Sequence, residues 1–222
     1  MQTLTEHIIQ AGWAKRVLSH TQIARLLDGT PQRRYNLINR ALQHGELLSL
    51  RRGLYMLAPQ GQDKSLHPFV LAQGLQNGSY ISFETALSFH GWIPELVPIT
   101  LSVLPGRRQC ELDLSKLGLF RFYPLALRTG QFLQAVDRHT FAGQSALVAH
   151  PLRALLDLVC LHKLTTDRVM ALTQSMRIDT DLLLQTPVTT WQALQQVYAH
   201  HRMVHSITVL QTGCHQPHGL AP

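Results

Sequence analysis

SHTQIARLLDGTPQRRYNLINRALQHGELLSLRRGLYMLA, residues Ser19 to Ala58, changes its period partway along, and that change decides how the first part of the chain folds. Ser19 followed three residues later by Gln22 has the spacing of a capping box, in which the serine oxygen and the glutamine side chain satisfy otherwise unpaired backbone donors. Ile23, Leu26 and Leu27 then form the buried stripe of a helix that Gly29 stops. Thr30 and Pro31 read as the N-cap and first position of another, because proline's missing amide hydrogen costs nothing in a first turn. This helix is predicted from Pro31 to about His44 with Tyr35, Ile38, Ala41 and Leu42 turned inward. After Gly45 the pattern becomes extended: Leu47 to Leu50, then Arg51-Arg52-Gly53, then Leu54 to Leu57. An Arg-Gly pair between two short apolar runs predicts a hairpin, with the glycine supplying the positive φ of a tight turn.

Upstream, Leu4, Ile8, Ile9 and Ala11 recur at helical spacing before Gly12, so three short helices precede the hairpin. That order is the order of a winged helix-turn-helix over residues 1–59, with the third helix as reader and the Arg51-Arg52 tip as a wing on phosphate. The face of the third helix opposite its apolar stripe carries Gln32, Arg33, Asn36, Asn39, Arg40 and Gln43, whose donors and acceptors suit phosphate oxygens and the edges of guanine and adenine. The candidate DNA-binding residues are Gln32, Arg33, Arg34, Asn36, Asn39, Arg40, Arg51 and Arg52. The charge distribution points the same way. The 222-residue chain carries 20 Lys and Arg against 13 Asp and Glu, a formal +7. Residues 1–60 hold eight basic residues and three acidic ones, so +5 of the excess sits in about a quarter of the chain, and the remaining +2 is spread over 162 residues. The alternative is a protein-interaction module whose basic face is merely solvated.

A polar, glycine-containing run over residues 60–66 predicts a linker, and residues 67–210 a larger mixed domain, making the chain α+β overall. Pro68 to Leu75 reads as a helix, and Ser82 as the cap of another running to His90. Ile99 to Leu104, Leu119 to Tyr123 and Ser145 to Ala149 read as strands, with a turn at Pro105 to Arg108. Pro151 opens a helix predicted to be amphipathic, with Leu152, Leu155, Leu156 and Val159 on one face, and the chain reads as helical from Asp167 to about Tyr198. Residues 211–222 read as a frayed tail. Arg107 and Arg108 at their turn, and Arg121 and Arg128, read first as solvated charge.

Three runs resemble a known family: RRGLYML at Arg51 to Leu57, SYISFETALSFHG at Ser79 to Gly91, and VAHPLRALLDLV at Val148 to Val159. They lie in the order of the wing, the helix after the linker and the later proline-led helix of AbiEi-type antitoxins, the transcriptional regulators of type IV toxin-antitoxin systems. The resemblance covers about residues 1–165, and it departs from the family at Leu152, where many members carry an acidic residue. It implies a repressor of its own operon that binds inverted repeats in double-stranded DNA. It also implies a neighbouring nucleotidyltransferase-like toxin, a role in abortive infection by phage, and an antitoxin that counters the toxin without a stable complex.

Other classes fit less well. The odd, widely spaced Cys110, Cys160 and Cys214 disfavour a disulfide framework or zinc ribbon. The N-terminus lacks a signal peptide's basic start and apolar stretch, and no apolar run reaches a membrane span, so a cytoplasmic location is expected. His200, His201 and His205 lie close in sequence, but no acidic residue or cysteine stands at a matching spacing, so neither a metal nor a cofactor is expected. Gly78-Ser79 and Asp179-Thr180-Asp181 are a hundred residues apart, too far for a nucleotidyltransferase signature, and the acidic pair suits a helix N-terminus. No phosphate loop, GxSxG or HExxH is present, so an enzyme is not expected.

Overall fold

A computed structural model describes residues 3–59 and 66–213, and the chain divides into two compact units, Met1–Asn77 and Gly78–Pro222. The predicted linker lies outside the described residues except for Leu66, and so does the predicted tail from residue 214 onward.

The first unit runs α1 (Leu4–Gln10), β1 (Leu18–Ser19), α2 (His20–Leu26), α3 (Pro31–Gln43), β2 (Leu47–Arg51), β3 (Leu54–Leu57) and α4 (Pro68–Leu75). Its helix starts follow side-chain chemistry. Thr3 and Glu6 form a capping box on α1, and Ser19 and Gln22 form the predicted one on α2, each helix being too short to stand without such support. Thr30 Oγ1 accepts from Arg33 N at 3.3 Å, with Pro31 in the first turn of α3. The helices close around Leu4, Ile8, Leu18, Ile23, Leu27, Ile38, Ala41 and Leu47, with Trp13 and Tyr55 packed at the edge. Removing such side chains from water stabilises the unit by roughly 1.5–3 kcal/mol each, before chain entropy is counted.

β1, β3 and β2 form, in that order, an antiparallel three-stranded sheet in which Leu18 faces Tyr55 and Tyr55 faces Ser49. The two-residue β1 is too short to show a period, and pairing with β3 creates it. A register shift between Ser49 and Arg51 lets Leu50 turn inward while Arg51 stays exposed. α4, whose bounds match the prediction, groups with this unit. A methyl group on Gly74 would come within 2.5 Å of Val17 Cγ2, so only glycine fits that approach.

The second unit holds a six-stranded mixed sheet and a helical C-terminal part. Its strands are β4 (Tyr80–Ile81), β5 (Ile99–Val103), β6 (Cys110–Asp113), β7 (Leu119–Tyr123), β8 (Val136–Phe141) and β9 (Gln144–Ala149), in spatial order β6-β7-β5-β4-β9-β8. β5 with β7 and β4 with β9 are parallel, and the other neighbours are antiparallel. The helices are α5 (Phe83–Phe89), α6 (Pro151–Leu161), α7 (Thr166–Ser175), α8 (Thr180–Leu184), α9 (Val188–Gln195) and α10 (Arg202–Gly213).

Two expectations need correction here. α6 is not amphipathic in its surroundings, because every residue from Pro151 to Cys160 is buried, Arg153 and Asp157 included. Residues 211–213 are the last turn of α10 rather than frayed chain. Ser82 does hold the N-cap position of α5 but makes no side-chain cap, since its hydroxyl donates to Asp157 Oδ2 at 2.7 Å. Asp179 caps α8 by accepting from Asp181 N, the use read for that acidic pair. No helix among the described residues is long and apolar enough to cross a membrane.

Candidate nucleic-acid interface

The predicted reading face is built on α3, and its position is set by the turn before it. Gly29 adopts φ +99°, and an added Cβ there would lie 3.0 Å from Arg33 Cδ, so glycine meets both the backbone and the packing requirement. The aliphatic stem of Arg33 thus lies over the α2–α3 turn while the residue as a whole stays exposed. One turn along, Gln32 Nε2 donates to Asn36 Oδ1 at 3.1 Å, which orients both amides on the outside of the helix. Arg40 is exposed on the same helix, and Asn39 is half-buried.

Two neighbours on α3 exchange the places the apolar pattern suggests. Tyr35, expected inward, is 56% exposed. Arg34 is half-buried, and its Nε is out of reach of water and has no hydrogen-bond partner among the described residues. The inward stripe at Ile38 and Ala41 passes between positions 34 and 35, and the flexible stem of Arg34 fills the inner side of the first turn more readily than a rigid phenol. The outcome places Tyr35 with Gln32 on the outside, beside the half-buried Asn39. Sequence reasoning missed it, although three- and four-residue spacing from those two residues is the signal that finds it.

The hairpin tip is a separate element. Arg51 pairs with Leu54, Arg52 and Gly53 make the turn, Gly53 has φ +76°, and both arginines are exposed. The tip is not loose, because His20 N donates to Gly53 O at 2.8 Å. That bond ties the turn to the first residue of α2, beside the Ser19 cap. The structure therefore pairs Gln32 with Asn36 on α3, lays Arg33 over the turn at Gly29, presents Arg51 and Arg52 at the end of a hairpin, and turns part of Arg34 inward. Arginines and amides at a helix face and a strand turn have the chemistry to hold phosphate oxygens and base edges.

The remaining arginines weighed from the sequence lie in the second unit. Arg121 pairs with Glu111 at 2.7 Å across β7 and β6, and Arg128 donates to Gln196 Oε1 at 2.7 Å. Arg107 and Arg108 line a concavity of about 620 Å³. His201 and His205 stack edge-on at 5.1 Å, and no group of three or more His, Cys, Asp or Glu among the described residues is arranged to hold a metal. Cys214, His215 and His218 lie outside the described residues. No protein-family model matches the chain, and no curated protein matches it with significant similarity.

Proposed function

We propose that the first unit is a winged helix-turn-helix that binds double-stranded DNA, and that the chain is a transcriptional repressor of the AbiEi antitoxin type acting on its own operon. One observation carries the DNA-binding reading. The exposed Gln32, Arg33, Asn36 and Arg40 of a helix that follows a tight turn share one small unit with a β1-braced hairpin ending in Arg51 and Arg52. α3 lies in the major groove, where Asn36 and Gln32 meet adenine edges and Arg33 and Arg40 meet guanine or phosphate. Tyr35 adds an apolar ring for a thymine methyl group. Arg51 and Arg52 clamp the adjacent backbone and set register without reading sequence.

The antitoxin part of the proposal rests on the three family-like runs, two of which supply the buried partners in the second unit. Tyr80, Ser82, Arg153 and Asp157 all belong to them and meet in one hydrogen-bonded cluster. The second unit is then the antitoxin-type domain, and the functional partner is a nucleotidyltransferase-like toxin that is countered without a stable complex. An operator of inverted repeats requires two copies of the reading helix on one DNA face. A gel-shift titration of the full chain with the DNA upstream of its own gene, at two salt concentrations, tests the reading. Specific, salt-sensitive retardation supports it, and equal affinity for unrelated DNA of the same length overturns the repressor assignment.

A further inference from the structure

The second unit carries little net charge, yet it brings several basic side chains to one concavity. Arg107 and Arg108 from the turn after β5, Lys163 just beyond α6, and His200 and Arg202 at the start of α10 line the concavity of about 620 Å³. No carboxylate lines it among the described residues. Elsewhere in the same unit Arg121, Arg153 and Arg177 pair with Glu111, Asp157 and Glu95, while Arg128 and Arg138 donate to the neutral Gln196 and Ser145. The contrast between Lys163 and Arg177 is informative. Both end a helix with positive φ, at +53° and +55°, a backbone that glycine usually takes, and Arg177 has a carboxylate partner while Lys163 has none among the described residues.

Arg202 supplies a second, independent observation. Its Nη2 donates to Cys160 O at 3.3 Å, which holds the guanidinium at the wall of the concavity. The neighbouring thiol does not supply an anion, because burial pushes Cys160 up to about 11. Arg202 is also the first residue of a twelve-residue helix, whose N-terminal amides add positive potential at the same wall. Tyr123, Pro124 and Leu125 form an apolar side to the cavity.

We infer that this concavity, lined by Arg107, Arg108, Lys163, His200 and Arg202, is a binding site for a small polyphosphate-bearing ligand of nucleotide size. The volume falls within the range of small-molecule sites, roughly 300–1,000 Å³, whereas a duplex is far too wide to enter it. Four permanent positive charges match a triphosphate or pyrophosphate, and the apolar wall accommodates a base. The phosphate oxygens accept from the arginine guanidinium groups and from the Lys163 ammonium.

The test is calorimetric titration of the full chain with ATP, inorganic pyrophosphate, adenosine and a short single-stranded oligothymidine. ATP and pyrophosphate are expected to bind and adenosine to show no binding. Arg107→Gln with Arg108→Gln, on an exposed turn where folding is not at stake, weakens ATP by about tenfold or more, and Lys163→Gln by several-fold. Arg138→Gln, outside the cavity, leaves ATP affinity unchanged. Each titration is repeated with Arg51→Ala and Arg52→Ala, so that the result is independent of the proposed DNA interface. The inference is overturned if neither ATP nor pyrophosphate binds, or if affinity survives the Arg107/Arg108 change. It is equally overturned if binding is lost with Arg51 and Arg52 instead, or if only the oligothymidine binds through these residues.

Discussion

Arg153 Nε donates to Asp157 Oδ1 at 2.8 Å, one turn along α6, and neither side chain is exposed to solvent at all. The pair is completed from three directions. Tyr80, Ser82 and Tyr198 donate their hydroxyls to the Asp157 carboxylate at 2.9, 2.7 and 2.8 Å, and Arg153 also donates to Tyr80 Oη and Gln134 O. Burial opposes the guanidinium's charge, but Asp157 and the two tyrosines hold Arg153 above its ordinary range. The cluster joins β4, the cap of α5, α6 and the segment after α9, so it specifies how these elements meet rather than adding net stability by itself.

Removing one partner leaves the other charge buried and alone. Asp157→Asn and Arg153→Met are each expected to destabilise the second unit by about 3–5 kcal/mol, against about 1 kcal/mol for Tyr198→Phe, in denaturant titrations. A destabilisation smaller than that of Tyr198→Phe in either charged-residue variant contradicts the account.

The tyrosines make the cluster sensitive to alkali. Burial, with the nearby Asp157 charge, raises Tyr80 and Tyr198 well above 10.0, so the folded state holds their protons more tightly than the unfolded chain does. Their stabilising contribution is whole below pH 10.0 and is lost as pH rises through the elevated folded values. Stability should therefore fall on the alkaline side of pH 10, and the fall should shrink in Tyr80→Phe with Tyr198→Phe. Thermal melts across that range read it directly.

At the other end of the pH scale, burial lowers His90 and His150 below 6.5, and His90 Nε2 is engaged by Ala149 O at 3.1 Å. A depressed value means that the neutral form is favoured on folding, so this contribution is present above pH 6.5 and is lost as pH falls through the lowered values. His90→Gln with His150→Asn should flatten stability on the acid side. An unchanged acid slope in the double variant removes these histidines from the explanation.

In the first unit the hairpin and the helix should fail differently. Arg51→Ala and Arg52→Ala weaken binding to every DNA sequence and reduce the salt slope by about one for each phosphate that is no longer neutralised. Asn36→Ala instead relaxes sequence preference, costing about 1–3 kcal/mol on the best site and little on random DNA. Competition gel shifts at two salt concentrations separate the two patterns. Equal weakening on all sequences for Asn36→Ala excludes it as a base-reading residue.

Local chemistry made much of the first unit legible. Ser19 with Gln22, Thr30 with Pro31, and Gly53 at its turn each act within four residues, so the caps and the hairpin appear in the sequence as they do in the structure. β1 escaped because two residues have no period and owe their strand to β3. Tyr35 and Arg34 were misplaced because an apolar stripe fixes an angle only to within about half a residue's turn, and stem flexibility decides between neighbours. α6 looked amphipathic because its two charges read as a solvent face, whereas each charge supplies the other's partner in the interior.

The excess charge divides along the same line. By itself the sequence determined that +5 of the +7 lies in the first 60 residues, since those arginines sit on elements defined by neighbours in the chain. Only the tertiary structure decided the fate of the rest. Arg107, Arg108, Lys163 and Arg202 come from three distant segments and look thinly spread along the chain, but the fold brings them to one concavity while other basic side chains in the second unit are drawn to acceptors elsewhere. Electrostatic potential sums over distance in space, and separation along the chain has no part in that sum.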